Sequence, residues 1–328
     1  MPKKVVAFFI RHFNERGTEI SAYNYAHFNE TILGNHSIII AFKKDVYKRF
    51  GFPYVDSVYE KFRNRFVMLQ VNDYSEVDKV LEQANVDVYY TQTQGLYQPD
   101  TWPYGMPKKV KTVVHCVFNT SEKHGDVYMP ISQHLNDHYG TNYPVLPYMV
   151  TVDDAQDNLR EQLNIPKDAI VYGRHGGYHQ FHIPCAKEAV AEYAMKNPNV
   201  YFVFLNTQPF TQGLKNVIYL PMTTDEVLKR QFINTCDAMV HGREDGETFG
   251  LSVGEFAICK KPIITWHAGT DKAHIDILQE KAILYSSKEE LLRIFETFDP
   301  AKHDMTDNGY MNYCPEKVMQ LFHTLVCQ

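Results

Sequence analysis

Residues 238–267 read AMVHGREDGETFGLSVGEFAICKKPIITWH and contain the pattern that decides the fold. Apolar residues dominate 238–243 and 262–267, and both runs have the length of a strand. Between them, 252–259 has the pattern of a short helix and follows a loop rich in acid and glycine. A strand, a helix and a second strand in this order predict a βαβ unit, whose two strands are parallel.

The same alternation extends along the rest of the chain. Further strands are predicted at 5–10, 37–42, 66–71, 86–91, 110–118, 126–131, 169–174, 200–206 and 216–221. Further helices are predicted at 17–34, 75–84, 186–197 and 223–235. Apolar strands separated by helices indicate parallel sheets that are covered on both faces. We therefore expect an α/β fold of two Rossmann-like domains that face each other across a cleft, with their boundary in the irregular stretch 141–158.

Composition argues against several classes of protein. The 328 residues carry a formal net charge of −6 and no basic stripe, so a nucleic-acid binder is not expected. No apolar run approaches the roughly 20 residues of a membrane span, and the run at 5–10 predicts a buried strand rather than a secretory leader. The six cysteines include no C-x-x-C pair, which favours free thiols in a reducing, cytoplasmic compartment.

The acidic loop after strand 238–243 has the features of a site for a phosphorylated, hydroxyl-rich ligand. Gly250 allows a tight turn, and the amides of Leu251, Ser252 and Val253 then begin a helix, where backbone donors favour a phosphate. Glu247 precedes this helix end and can accept hydrogen bonds from hydroxyl groups.

Both glutamates of this segment also have a structural interpretation. Glu247 can be a solvated loop acid. Ser252 and Glu255 have the spacing of a capping box, in which the Glu255 carboxylate would bind the Ser252 amide. The sequence alone leaves both alternatives open.

The segment 169–189 carries a second set of candidates. Arg174 leaves a strand where its guanidinium can bind a diphosphate. His175, His179 and His182 allow a zinc site as an alternative. The intervening glycine pair is a poor platform for fixed ligands, and no nearby acid or cysteine completes a set. We therefore expect histidines at the surface or facing a substrate, and no metal.

The first half of the chain offers two further positions. His115 lies late in a predicted strand and either faces the cleft or is a satisfied core residue. Arg16, Gly17 and Thr18 follow the first strand, where a ligand can approach Gly17 closely. The chain has no G-x-G-x-x-G there, no Walker motif and no Asp-x-Asp, so arginine and backbone amides would have to neutralise a bound phosphate.

Together these segments resemble the retaining glycosyltransferases of family 4, which have the GT-B fold. The family motif, E-x-F-G-L with a second glutamate after seven residues and then a Pro-led strand, stands here as ETFGLSVGEFA at 247–257 and KPII at 261–264. Gly173-Arg174 matches the family's G-R, and His115 matches its first-domain histidine. The short chain with GRHGGYHQF at 173–181 looks most like compact, virus-encoded members.

The resemblance implies that the two domains have different functions. Residues 1–150 would form the N-terminal, acceptor-side domain, and residues 151–313 would bind the nucleotide-sugar donor. The predicted helix at 314–328 would return to the first domain.

It also implies roles for single residues. Glu247 would hold the transferred sugar, His115 would face it, and Glu255 would bind the ribose hydroxyls. Arg174 would neutralise the leaving diphosphate. The expected donor-binding residues are Gly173, Arg174, Thr248, Phe249, Gly250, Leu251, Ser252 and Glu255, and the expected N-domain cleft residues are Arg16, Gly17 and Thr18. The family's lysine after G-R is missing here, and His179 or Gln180 stands near its place.

The implied reaction is retaining transfer of a hexose from a nucleotide sugar to a glycan, glycoprotein or other hydroxyl acceptor, without metal or another cofactor. GDP-mannose is the favoured donor and a UDP-sugar the next. The protein would be cytoplasmic, in the cytoplasm of the host if it is viral. A homodimer is possible. The alternatives are a GT-B-fold nucleotide-sugar epimerase or hydrolase and a non-catalytic nucleotide-sugar or glycan-binding protein.

Overall fold

The computed structural model describes residues 2–14, 16–97 and 106–328. The chain divides into two compact units. Unit 1 comprises Met1–Met149 and Tyr313–Gln328, and unit 2 comprises Val150–Asn312. Among the described residues, no helix combines the length and the apolar character that a membrane span requires.

The described part of unit 1 is built on a six-stranded sheet. Its strands are β1 (Val5–Ile10), β2 (His36–Phe42), β3 (Val67–Val71), β4 (Val88–Thr93), β5 (Lys111–Cys116) and β6 (Val127–Pro130). The strand order is β3-β2-β1-β4-β5-β6, and every neighbouring pair is parallel. The inner strands are continuous apolar runs because helices cover both faces of the sheet.

Helices follow most strands of unit 1. They are α1 (Gly17–Thr31), α2 (Lys44–Phe50), α3 (Asp56–Arg65), α4 (Val77–Gln83) and α5 (Gln133–Tyr139). The sequence predicted α1 and α4 but not the short helices α2, α3 and α5. Aromatic side chains dominate the packing of α2 and α3, where the Phe13 ring meets Tyr47 and Phe62 at centroid distances of 5.5 Å.

Unit 2 repeats the scheme. Its strands are β7 (Ile170–His175), β8 (Val200–Leu205), β9 (Val217–Leu220), β10 (Ala238–His241), β11 (Gly246–Glu247), β12 (Ile263–Trp266), β13 (Asp271–Lys272) and β14 (Ala282–Tyr285). Six of them form a parallel sheet in the order β14-β12-β10-β7-β8-β9, and β11 pairs separately with β13. The helices are α6 (Pro184–Lys196), α7 (Glu226–Thr235), α8 (Leu251–Ile258), α9 (Ala273–Leu278) and α10 (Lys288–Thr297).

The last helix, α11 (Pro315–Phe322), belongs to unit 1. Its Phe322 ring stacks on Tyr25 of α1 at a centroid distance of 5.3 Å and on Phe8 of β1 at 6.3 Å. The chain continues as a π-helical turn, where the Val326 carbonyl accepts a hydrogen bond from Lys111 Nζ at 3.0 Å.

Both sheets have the doubly wound order, in which the chain starts in the middle and winds outward in both directions. The direction reverses between β1 and β4 in unit 1 and between β7 and β10 in unit 2. In open α/β sheets, ligands bind beyond the carboxyl ends of the strands at this switch point. In unit 2, that position is occupied by the residues that follow β7 and β10.

Candidate functional site

Arg174 lies near the carboxyl end of β7 as a buried cation that only neutral groups contact directly. It is 4% exposed, and its guanidinium donates to Thr207 Oγ1 at 2.7 Å and to the Gly177 carbonyl at 3.0 Å. Among the described residues, no carboxylate forms an ion pair with it. Burial lowers the pKa of Arg174 to about 10, partly offset by the charge of Glu247, so the group stays protonated at neutral pH. A buried guanidinium with this environment suits an anionic ligand.

The glycine pair after β7 makes room for this guanidinium. A Cβ on Gly176 would lie 2.9 Å from Arg174 Nη2, and the φ angle of Gly176 is +148°, which other residues rarely adopt. Asn206, at φ +51°, donates from Nδ2 to the Gly176 carbonyl at 2.9 Å and fixes the turn. Gly173 has a packing role, because a Cβ there would lie 2.2 Å from Cys236 Sγ.

Glu247 lies in the loop that leaves β10. Gly246 needs its φ of +82°, and a Cβ there would meet the Asp271 carbonyl oxygen at 1.9 Å. The Glu247 carboxylate pairs with Arg243 Nη1 at 2.8 Å and lies 3.2 Å from His241 Nε2. Burial raises the pKa of Glu247, but the hydrogen bond from His241 and the charge of Arg243 outweigh it and lower that pKa to about 2. Glu247 is therefore a partly buried, fixed carboxylate rather than a solvated loop acid.

Glu255, one turn into α8, is held in a similar way. Its Oε1 pairs with Lys229 Nζ at 2.7 Å, and its Oε2 lies 2.9 Å from His175 Nε2. The contact with His175 has the distance of an ion pair without the alignment of a hydrogen bond. Lys229 Nζ also pairs with Glu226 at 2.6 Å. Burial opposes ionisation of Glu255, but the charges of Lys229 and His175 prevail and lower its pKa to about 2.

These contacts rule out the capping box. Helix α8 begins at Leu251 with Gly250 as its N-cap, so Ser252 lies inside the helix and cannot cap it. The Glu255 side chain instead turns away from the helix start, toward α7 and β7. The capping interpretation of Glu255 is wrong because the helix begins one residue before Ser252 and because Lys229 and His175, on other elements, hold the carboxylate.

The loop before α8 is anchored through its own backbone and buried side chains. Gly250 has φ +85°, and a Cβ there would lie 3.0 Å from the Tyr310 hydroxyl. That hydroxyl donates to the Phe249 carbonyl at 2.6 Å, and the Thr248 and Phe249 side chains are buried. The first amides of α8, such as those of Leu251 and Ser252, have no acceptor within the helix. They form the positive end of a dipole that favours an anion.

The three histidines that suggested a zinc alternative have three separate partners. His175 contacts Glu255, His179 Nδ1 lies 2.9 Å from Gln208 Oε1, and His182 lies 3.8 Å from Glu244. Among the described residues, no group of three or more metal-ligating side chains converges. Gln180, near the place of the family's lysine, accepts from the Gly177 amide at 3.2 Å.

In unit 1, His115 lies in the core. It has no exposed surface, its Nε2 donates to the Leu146 carbonyl at 2.7 Å, and its Nδ1 lies 2.5 Å from the Tyr90 hydroxyl. Burial lowers the pKa of His115 to about 3. Both ring nitrogens are occupied, so these contacts favour the core interpretation, and we leave His115 out of the proposed site.

The other candidate residues in unit 1, Arg16, Gly17 and Thr18, lie at the start of α1, next to the switch point of the sheet. Arg16 is the exposed N-cap residue, and its amide binds the Asn14 side chain at 2.8 Å. Gly17 is the first helical residue, and the Thr18 side chain hydrogen-bonds Tyr148. Thr18 is thus the second residue of the helix.

Sequence reasoning missed the groups that hold the glutamates. His241 is the last residue of β10 and Arg243 follows it, so their place at the carboxyl end of this strand, just before the acidic loop, was a usable signal. Lys229 belongs to α7, and only the tertiary structure brings it to Glu255.

The comparisons with known proteins support the fold through structure alone. No family model matches the chain, and no curated protein matches its sequence. A solved glycosyltransferase from Rickettsia africae superposes with a TM-score of 0.72 and 13% identity, covering 99% of both chains. Anabaena Alr3699/HepE, solved with UDP and glucose, superposes with a TM-score of 0.68 and 15% identity, covering 98% of both chains.

A third similar structure has a different description. A UDP-N-acetylglucosamine 2-epimerase from Listeria monocytogenes, itself described as putative, superposes with a TM-score of 0.63 and 13% identity, covering 98% of this chain and 96% of its own. Two parallel sheets of this order and these similarities show that the chain has the α/β, GT-B type of fold.

Proposed function

We propose that this chain is a retaining glycosyltransferase of family 4. It transfers a hexose from a nucleotide sugar to a hydroxyl group of a glycan or another acceptor, without a metal ion. Unit 2 binds the donor, and unit 1 serves the acceptor side.

One observation carries this proposal. At the switch point of unit 2, the cation of Arg174 lies near the end of β7, and two carboxylates held in the ionised form, Glu247 and Glu255, lie in the segment and the helix that follow the neighbouring strand β10. A nucleotide sugar presents two kinds of group, an anionic diphosphate and neutral hydroxyls. A guanidinium and helix amides suit the diphosphate, and ionised carboxylates are acceptors for hydroxyl groups.

The charge states also limit the chemistry. With pKa values of about 2, Glu247 and Glu255 carry no proton to donate at neutral pH, so neither acts as a general acid. We assign Glu247 to the hydroxyls of the transferred sugar and Glu255 to the ribose. Bond cleavage then depends on stabilising the negative charge of the departing diphosphate, and this is the task of Arg174 and the α8 amides.

The family resemblance and the comparisons each support one candidate donor. GDP-mannose is the donor that we favour from the resemblance, and the UDP and glucose bound by the Anabaena structure make UDP-glucose the competing candidate. Calorimetric titration with GDP, UDP, ADP and dTDP and their common sugars, in EDTA, separates these donors. We expect one base and its sugar to bind selectively. Failure of all of them to bind would contradict the proposal.

An epimerase or hydrolase is the second candidate, and the Listeria structure is the observation that favours it. Incubating the protein with the donor that binds, with and without a mixture of oligosaccharide acceptors, distinguishes the reactions. A transferase yields a new glycoside whose anomeric configuration matches that of the donor. An epimerase yields an altered sugar nucleotide without an acceptor, and a hydrolase yields free sugar. A binding protein releases no nucleoside diphosphate under any condition.

A further inference from the structure

Lys229 is a buried cation that two carboxylates of unit 2 share. Its side chain is 11% exposed, and its Nζ lies 2.6 Å from Glu226 and 2.7 Å from Glu255. Burial lowers the pKa of Lys229, but the charges of Glu255 and Glu226 outweigh it and raise that pKa. Lys229 is therefore charged at neutral pH, and because an ammonium group only donates, the direction of both contacts is fixed.

The first turn of α7 holds Lys229 in place. The Asp225 carboxylate caps this helix and accepts from the amides of Val227 and Leu228 at 2.9 and 3.1 Å. The Lys229 amide donates to the Asp225 carbonyl at 3.0 Å, which closes the turn. Helix α7 thus presents the ammonium group to Glu255 from a fixed backbone.

The Glu255 carboxylate lies at the edge of the sheet where a ligand is expected. Its Oε2 is 2.9 Å from Nε2 of His175, which is the last residue of β7. Arg174, the residue that we assign to the diphosphate, directly precedes His175. Because the ribose of a nucleotide is bonded to its diphosphate, a carboxylate beside this strand end suits the ribose hydroxyls.

The Glu255 carboxylate keeps acceptor capacity for such hydroxyls. Its two oxygens offer about four lone-pair sites, and the contacts with Lys229 and His175 leave roughly two of them. A ribose presents two neighbouring hydroxyls, 2′ and 3′, whereas a 2′-deoxyribose presents only the 3′-hydroxyl. A carboxylate held in one orientation can accept from both ribose hydroxyls and loses one partner with the deoxyribose.

A purely structural role explains Lys229 less well. A buried ion pair adds little net stability, because the cost of removing both charges from water offsets their attraction. Holding a carboxylate in one orientation before a ligand arrives has a different benefit, because it lowers the cost of ordering the site on binding. The place of Glu255, beside the carboxyl end of β7, agrees with this second role.

We propose that Lys229 is a positioning residue for Glu255, and that the carboxylate it holds makes unit 2 select ribonucleotides over 2′-deoxyribonucleotides. Without Lys229, Glu255 would be a buried carboxylate with one cation fewer, so it would take up a proton more readily and lose its fixed orientation. The site would then bind the diphosphate but distinguish the two sugars poorly. The inference rests on the nucleotide-binding part of the proposed function and not on transfer.

The test compares matched variants of two ion pairs in unit 2. Lys229→Met removes the cation and keeps much of the apolar side chain. Lys229→Met/Glu255→Gln removes both charges, so that Glu255 is not left as an unpaired buried charge if the single variant fails to fold. Arg160→Met is the control, because Arg160 pairs with Asp237 at 2.8 Å where β10 begins, at the opposite edge of the sheet.

The measurement is calorimetric binding of UDP, GDP and their 2′-deoxy forms in EDTA. For the base that binds, we expect the native chain to prefer the ribonucleotide about 10- to 100-fold, the range for a hydrogen bond to a charged group. Lys229→Met should bring this preference close to one, with little change in the affinity for the deoxynucleotide. Arg160→Met should keep the native preference.

The double variant shows whether Lys229 acts through Glu255. If it does, Lys229→Met/Glu255→Gln and Glu255→Gln alone should show the same preference, because the two changes are then not additive. A different preference in the double variant overturns the inference, and so does a native preference in Lys229→Met. Equal losses of preference in Lys229→Met and Arg160→Met would make the effect merely structural and overturn it as well.

The release of nucleoside diphosphate from UDP-glucose or GDP-mannose separates the inference from the proposed function. A native chain that binds neither UDP nor GDP contradicts both. A chain that prefers the ribonucleotide through Lys229 but releases no nucleoside diphosphate supports the inference and contradicts the proposed transfer. A chain that turns over a donor but binds both sugar forms equally contradicts the inference alone.

Discussion

The two sheets have the same strand order, and one buried polar series in each, around His115 in unit 1 and around Arg174 in unit 2, shows a contrast. In unit 1, Gln92 Nε2 donates to the Tyr90 hydroxyl at 2.9 Å, and Tyr90 meets His115, which binds a main-chain carbonyl. Every group in this series is neutral and has a partner within the unit. In unit 2, Arg174 and Glu247 are charged, and Arg174 has no directly paired carboxylate among the described residues.

This difference indicates which of two similar units contains a ligand site. A neutral network that satisfies itself can be buried at little cost and stabilises a core. A buried charge costs free energy unless it is paired, so an incompletely paired cation suggests a ligand that completes the site. The following changes test this contrast, from the largest expected effect to the smallest.

Acid should weaken unit 2 through both glutamates. The folded pKa values of Glu247 and Glu255 are about 2, below the ordinary glutamate value of 4.5. A depressed folded pKa gives stability that is present above the unfolded value, near pH 4.5, and is lost as the pH falls toward 2. Each glutamate contributes on the order of 3 kcal/mol to the free energy of unfolding at pH 7.

Fluorescence of Trp266, which lies in β12, reports this unfolding in a Trp102→Phe background. Urea titrations at pH 7, 5 and 3 should show the loss in the native chain and a much smaller loss in Glu247→Gln/Glu255→Gln. An unchanged pH dependence in the double variant would assign the acid sensitivity to other carboxylates.

Glu247→Gln should lower kcat by about two orders of magnitude, because a hydrogen bond to a charged group contributes about 1.5–3 kcal/mol. The release of nucleoside diphosphate measures this. The control is Glu244→Gln in the same loop, whose side chain is 64% exposed and lies 3.8 Å from His182. Equal activity of the two variants would remove Glu247 from the site.

Arg174→Ala should weaken nucleoside diphosphate binding by about 1.5–3 kcal/mol, or roughly 10- to 150-fold, through loss of a charged hydrogen bond. Calorimetry with GDP and UDP measures the change. The control is Arg293→Ala, at an exposed position on α10. It removes the same positive charge at a place away from the site. If both variants bind as the native chain does, the diphosphate lies elsewhere.

His115→Phe should leave kcat per folded molecule unchanged, because both ring nitrogens serve the core of unit 1. The loss of its hydrogen bonds to Leu146 and Tyr90 should lower the free energy of unfolding by about 1–3 kcal/mol. Thermal unfolding and turnover together check this. A large loss of kcat in a folded variant would return His115 to the site.

Much of the fold could be predicted because its signals are local. The apolar runs that became β1, β2, β7 and β8 lie within a few residues of their predicted bounds. Strand β14 and the short helices α2 and α3 were missed. Helix α2 has seven residues and α3 ten, too few for a clear periodicity, and contacts made elsewhere in unit 1 stabilise them.

The features of the candidate site also fall into two groups, those that the sequence predicts and those that only the tertiary structure brings together. The sequence by itself determined the parallel sheets, the turn at Gly250 before α8, and the spacing of Glu247 and Glu255, because each depends on neighbouring residues. Only the tertiary structure decided which cations hold the glutamates and which histidine is buried, since strand order brings Lys229 to Glu255 across 26 positions. Ion pairs between separate elements produce no periodic pattern in a sequence, so the partners in each pair can be identified only from the tertiary structure.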